Sequence, residues 1–273
     1  MKLLKRLVIG LLVLVVILYA GMVGALYFLQ RDFQYDPKGE ITALDATTLK
    51  NVEVVSIPTS DGEKVTGWYG APQPGKPVIV YYKGNAGSFT YEHERFEAWM
   101  ADGYGFLAFD YRGFPLSPGV VNQTNILADS LAAFDWLTTK NVPVVIWGRS
   151  LGTGPATYVA SERDADALLL ETPFVSAVTV AGERYPFAPV GLLMQDQFPV
   201  NVWIKAVAEP VFVAHGTADT TIDVSNGERV YDLAPNKYQL WIEPGAGHSD
   251  LWARGIWDRA RTFFEAAENH AGR

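Results

Sequence analysis

The sequence predicts an α/β protein in which a mostly parallel central sheet is flanked by helices and preceded by one transmembrane helix. Three observations predict this. Short, near-continuous apolar runs (VIVYY at 78–82, FLAFD at 106–110, VVIW at 144–147, ALLL at 167–170, VFVA at 211–214) alternate with longer segments of helical period. Strands apolar at every position suit a parallel sheet covered on both faces. Hydrophobic residues make up 49% of the chain and charged residues 19%, enough for a core and incompatible with disorder throughout. Residues 7–29 form a run of 23 residues with no charge.

At 1.5 Å per residue, that run makes a helix of roughly 35 Å, longer than the bilayer's hydrocarbon core of about 30 Å. A soluble helix is rarely apolar on all faces for six turns. Lys2, Lys5 and Arg6 stand before the run, and Arg31 then Asp32 after it. The positive flank predicts a cytoplasmic N-terminus, with the rest of the chain on the outer, periplasmic or extracytoplasmic, side. The alternative is a cleaved signal peptide, with Gly24 and Ala25 near the cleavage point, but signal cores run about 7–15 residues. The organisation expected is a signal anchor over 1–31, a juxtamembrane connector over 32–50 that lacks any period, and an α/β domain over 51–273.

Strands are expected at 52–57 and 65–70, separated by Pro58, Ser60, Asp61 and Gly62. A strand at 78–82 leads to a helix at 91–101. A strand at 106–110 leads to a helix at 125–138, with Ile126, Leu127, Leu131, Phe134 and Leu137 at helical spacing. A strand at 144–147 precedes a helix at 151–160. Strands at 167–170, 211–214 and 238–242 and helices at 224–233 and 251–267 complete the pattern. In such sheets chemistry sits beyond the C-terminal ends of the strands.

The net charge of −8 argues against a nucleic-acid partner. With no Cys, there is no disulfide framework, thiolate metal site or cysteine nucleophile. No H-E-x-x-H, no carboxylate cluster of ligand spacing and no nucleotide-binding glycine motif is present, so neither metal nor cofactor is implied.

The residues just past the strands carry the chemical signals. Gly148-Arg149-Ser150-Leu151-Gly152 is a G-x-S-x-G between a buried strand and a helix start, the setting in which a strained turn lifts a serine hydroxyl clear of the sheet. The bland alternative is a glycine-rich turn with an incidental serine. A serine hydroxyl needs a base. Of the four histidines, His270 is read as solvent-exposed, His93 as a surface residue of a helix, and His215 as a hydrogen-bonded structural residue or a second choice of base. His248, in the glycine-rich loop after the last strand, is the expected base. Asp219, after the penultimate strand, is the expected acceptor for that imidazole, ahead of Asp223, which reads as a helix N-cap. Asp110 also ends a strand. The order Ser150, Asp219, His248 matches one known triad order. The loop Lys83-Gly84-Asn85-Ala86-Gly87 comes after an inner strand, and the backbone N–H groups of Asn85 and Leu151 are the expected oxyanion donors.

These motifs together resemble the α/β-hydrolase fold family, and more narrowly the membrane-anchored bud-emergence-type serine hydrolases, relatives of the depalmitoylating α/β-hydrolase-domain proteins. The resemblance runs over nearly the whole chain: QRDFQYDP at 30–37, KGNAG at 83–87, DYRGFPLSPG at 110–119, WGRSLGTGPA at 147–156, LLLETPF at 168–174, HGTAD at 215–219 and GAGHSDL at 245–251. It implies a Ser-His-Asp hydrolase with Ser150, Asp219 and His248 in those roles. Relatives usually carry His-Gly where this chain has Lys83-Gly84. Tyr111, Arg112 and Gly113 match a loop of the family read as structural.

The chemistry expected is acyl transfer from an ester or thioester to water through an acyl-enzyme, without cofactor. The substrate expected is an acylated or ester small molecule or lipid. A peptidase with the same triad and a non-catalytic membrane-tethered binding protein are the alternatives; the latter predicts a lost triad member. The segment 172–208, rich in Pro and aromatics, is read either as a cap lining an acyl pocket or as packing against the sheet.

Overall fold

A computed structural model describes the chain from Met1 to His270, and the side chains of Asn269 and His270 fall outside the described residues. Helix α1 (Lys2–Gln34) is a single rod of 33 residues with no fully buried position. Strands β1 (Val52–Pro58) and β2 (Lys64–Gly70) form a hairpin, succeeded by β3 (Val78–Tyr82), helix α2 (His93–Ala101) and β4 (Gly105–Phe109). Then come α3 (Gln123–Thr138), β5 (Val144–Arg149), α4 (Thr153–Glu162) and β6 (Ala167–Glu171). A segment of short helices comes next: α5 (Ala177–Arg184), α6 (Val190–Leu193) and α7 (Val200–Trp203). The chain ends with β7 (Val211–Gly216), α8 (Val224–Leu233), β8 (Lys237–Glu243) and α9 (Ile256–His270).

The sheet order is β1-β2-β4-β3-β5-β6-β7-β8, with β1, β2 and β4 paired antiparallel and the rest parallel. This is the mostly parallel sheet flanked by helices that the sequence predicts. Every residue of β3 is buried, its side chains alternating between two apolar layers: Val78, Val80 and Tyr82 in one, Ile79 and Tyr81 in the other. Chain order reverses between β3 and β5, because β4 lies outward of β3 on one side and β5 begins the run on the other. Loops leaving the C-terminal ends of two such neighbours diverge and leave a crevice, the usual place for a site in an open α/β sheet.

Three segments differ from expectation. The closing helix expected at 251–267 runs instead over Ile256–His270, after turns at 251–255. The expected helix at 151–160 begins later: Ser150–Gly152 form a 3₁₀ turn, and α4 starts at Thr153. Residues 32–50, expected as a juxtamembrane connector, begin inside α1 and then lie against the domain. Tyr35 is buried, Asp36 bridges to Ala86, and Leu44–Ala46 form a 3₁₀ turn. Their order comes from hydrogen bonds to distant loops, which leave no period in the local sequence.

Candidate active site

Ser150 stands at the tip of the β5–α4 turn with φ +50°, a left-handed conformation that costs a non-glycine residue on the order of 1–3 kcal/mol. The glycines on either side explain why the chain accepts it. A Cβ at Gly152 would lie 1.9 Å from the Tyr82 carbonyl oxygen, and one at Gly148 would lie 2.5 Å from Ala156 Cβ. With hydrogen at both positions, β3, β5 and α4 pack closely and the intervening serine is pushed above the sheet edge.

His248 reaches this serine from the loop after β8. Its Nε2 is 2.8 Å from Ser150 Oγ, and its Nδ1 is 2.7 Å from Asp219 Oδ2. A carboxylate only accepts, so Nδ1 carries the proton and Nε2 accepts from the serine hydroxyl. Asp219 leaves β7 in the neighbouring loop, its side chain fully buried. Its Oδ1 accepts from the backbone N–H of Thr221 (2.8 Å) and Ile222 (2.9 Å). Burial alone would raise the Asp219 pKa. Hydrogen bonds from His215, His248 and the Ile222 amide outweigh it and hold the carboxyl well below the usual range. The three groups expected from sequence to meet are therefore in contact.

His215 is completely buried, with Nε2 2.9 Å from the Ile222 carbonyl and 3.2 Å from Asp219 Oδ2. Both neighbours accept, so Nε2 donates, and the ring braces Asp219 rather than Ser150. Asp223 caps α8 by accepting from Ser225 N–H. Asp110 is buried and accepts from the Phe89 and Leu116 amides. His93 sits on α2 beside Glu97.

The loop after β3 passes directly by the serine: a Cβ at Gly84 would lie 3.6 Å from Ser150 Cβ. Asn85, Ser150 and Leu151 line one cavity. Lys83 is buried under this loop. Its Nζ donates to the Gly84 carbonyl at 2.9 Å and stands 3.8 Å from the centre of the Phe114 ring. Burial pushes its pKa down to about 8, against the pull of Asp110 and Glu92. Lys83 thus ties the loop down from within. From the other side Asp36 N–H donates to Asn85 Oδ1 (3.2 Å), and Gly87 N–H to the Asp36 carbonyl (3.0 Å).

Sequence reasoning missed this strap, and it missed a buried charge network under the site. Glu171, fully buried at the end of β6, accepts two bonds of 2.9 Å from Arg95 and one of 3.0 Å from Trp147 Nε1. Burial would raise its pKa, but the charges of Arg95 and Arg149 prevail and lower it. Arg149, next to the serine, also donates to Ser249 Oγ at 2.9 Å, tying the serine turn to the histidine loop. A charged residue closing an otherwise apolar strand, as in LLLE, was the available signal.

The cavity beside Ser150 has a volume of about 350 Å³. Phe174, Val180, Leu193 and Met194 line it from the segment between β6 and β7, while Phe198, Val200 and Ile204 of the same segment are packed into the core. One half of 172–208 therefore lines the cavity and the other half packs against the sheet. One wall comes from Val23, Leu26, Tyr27, Gln30, Phe33 and Gln34 of α1.

Comparison with known proteins places this arrangement. No family model matches the chain. The uncharacterized protein Rv2307c of Mycobacterium tuberculosis is 30% identical over 259 residues, covering 92% of both chains. The α/β hydrolase domain-containing protein aho-3 of Caenorhabditis elegans is 35% identical over 164 residues, covering 58% of this chain and 48% of its own length. Among solved structures, the Pyrococcus furiosus esterase Pf2001 superposes with a TM-score of 0.64 at 20% identity, covering 86% of this chain and 96% of the esterase. The same fold, the serine turn at its switch point and relatives of that named family agree: the chain belongs to the α/β-hydrolase superfamily.

Proposed function

We propose that this chain is a serine hydrolase of the membrane-anchored bud-emergence type, cleaving an ester or thioester through an acyl-enzyme. The observation that carries the reading is the His248 imidazole, which bridges the Ser150 hydroxyl at 2.8 Å and the Asp219 carboxylate at 2.7 Å. In the first half-reaction His248 Nε2 takes the hydroxyl proton as Ser150 Oγ attacks the substrate carbonyl. The amides of Asn85 and Leu151 receive the developing oxyanion, and Asp219 stabilises the imidazolium. His248 then returns its proton to the leaving alkoxide or thiolate. Water repeats the sequence on the acyl-Ser150 ester and releases the acid. The Pyrococcus furiosus esterase supports ester chemistry by analogy of fold. A binding protein on this fold has no need to hold a serine in a strained turn against a histidine. A fluorophosphonate probe labels the full-length protein and not Ser150→Ala, and p-nitrophenyl butyrate hydrolysis falls on the order of 10⁴-fold or more in that variant. Labelling that persists in Ser150→Ala defeats the reading.

The apolar rod α1 supports a further part of the proposal: it anchors the chain with the N-terminus cytoplasmic and the catalytic domain on the outer side. Its 33 residues exceed the roughly 20 that a bilayer requires. Protease added to intact spheroplasts digests the domain under this topology and spares it under the reverse.

A further inference from the structure

We propose that the C-terminal third of α1 is a wall of the substrate site, where Val23, Leu26 and Tyr27 measure the acyl chain of a lipid ester taken from the adjoining leaflet; the proposal rests on the serine-hydrolase reading.

The wall residues Val23, Leu26, Tyr27, Gln30, Phe33 and Gln34 fall three and four apart, so they occupy one face of the helix. That face is docked, not loosely apposed. At its upper end Gln30 Oε1 accepts from Gln195 N–H at 2.7 Å, and Arg31 Nε donates to the buried Asp196 at 2.9 Å. At its lower end the Tyr19 hydroxyl donates to the Phe187 carbonyl at 2.9 Å.

The direction of the cavity is set by these contacts. Asp36, two residues beyond the helix, bonds Asn85 beside Ser150, so the upper end of the wall stands at the reactive serine. From Phe33 to Val23 is ten residues, or about 15 Å down the helix axis. The lower end lies within the uncharged run that crosses the bilayer. A substrate with its carbonyl at Ser150 therefore extends its tail along α1 toward the bilayer centre. A leaflet lipid already has that orientation, ester at the interface and chain inward, so it enters without turning over. The volume of about 350 Å³ is at the low end of the range of about 300–1,000 Å³ for ligand pockets, which suits one chain.

The covering segment agrees. Phe187, whose carbonyl bonds Tyr19, and Leu192, within α6, are 51% and 87% exposed. Large apolar side chains next to a membrane helix belong in the leaflet. Signal cleavage near Gly24 would remove Val23 and the Tyr19 contact, and so open the floor of the cavity.

The test uses full-length protein in phosphatidylcholine vesicles and p-nitrophenyl esters from butyrate to palmitate. The parent shows kcat/KM rising with chain length to an optimum inside this range. Val23→Trp and Leu26→Trp shift the optimum to shorter chains, with at least about a tenfold loss on palmitate, and Val23→Ala shifts it to longer ones. Val13→Trp, on the same helix below the cavity, keeps the parent's profile. Unchanged profiles in all the wall variants overturn the proposal. Faster turnover of palmitoyl-CoA in solution than of vesicle-borne lysophosphatidylcholine overturns the leaflet as source. A parent that fails to react with fluorophosphonate overturns the hydrolase reading itself, and with it this one. A labelled parent with a flat chain-length profile overturns this one alone.

Discussion

Lys83 supports the loop of Gly84 and Asn85 from beneath. Its ammonium is buried, yet it satisfies the Gly84 carbonyl and lies on the Phe114 ring. Its pKa in the fold is lowered to about 8 from 10.5. The unfolded chain therefore binds more protons between these values, so folding stability from this residue rises as pH climbs from about 8 to 10.5. Below about pH 8 the cost of the buried charge is fully present. Urea midpoints at neutral and alkaline pH should show a gain on the order of 3 kcal/mol in the parent that is absent from Lys83→Met. Equal pH slopes in the two proteins would contradict a buried charged amine. His215 was legible in sequence as a structural residue or a second choice of base because it follows the apolar run 211–214. That it braces the same carboxylate as His248 was not legible, since the loop from 216 to 222 had first to fold back over it.

At the scale of elements, the serine turn depends on what is missing around it. Gly152 faces the Tyr82 carbonyl so closely that a single methyl group has no space, and the obstacle is the backbone of the central strand β3. Gly152→Ala must therefore displace β3 or α4, at a cost of about 3 kcal/mol, the upper part of the usual range for overpacking. Thermal unfolding and fluorophosphonate labelling measured together check this, and both should fall. A variant that keeps parental stability refutes the close approach. The strap at 36–42 belongs to this scale too. Thr42 N–H donates to Thr90 Oγ1 and Asp36 to Asn85, fixing the loop of Gly84 and Asn85 from outside.

For the whole molecule, the decisive joint is between α1 and the segment carrying α5 and α6. Asp196 is 4% exposed and accepts from Arg31 Nε (2.9 Å) and the buried Tyr35 hydroxyl (3.0 Å). Asp196→Ala leaves the tyrosine hydroxyl unpaired, a loss of about 1–3 kcal/mol. Arg31 is partly exposed and adds little of its own. Limited proteolysis should then cut between 184 and 199 faster than in the parent while the sheet stays protected. Uniform protection across the chain would argue against a joint at this point.

The sequence by itself determined most of the sheet. Apolar runs that must be covered on both faces can only be interior strands, and each was placed within one or two residues of its observed bounds. It also singled out Ser150, Asp219, His248, Asn85 and Leu151 as candidates, because the parallel strands send the loops that follow them to the same edge, so position after such a strand is nearly position in space. Only the tertiary structure decided that α1 is part of the cavity wall, that residues 32–50 brace the loop of Asn85, and that Glu171 anchors Arg95 and Arg149 beneath the serine. Those relations join segments as much as 168 residues apart through side-chain hydrogen bonds. Such bonds depend on distance and angle in the folded chain, and they impose no periodicity on the residues that make them.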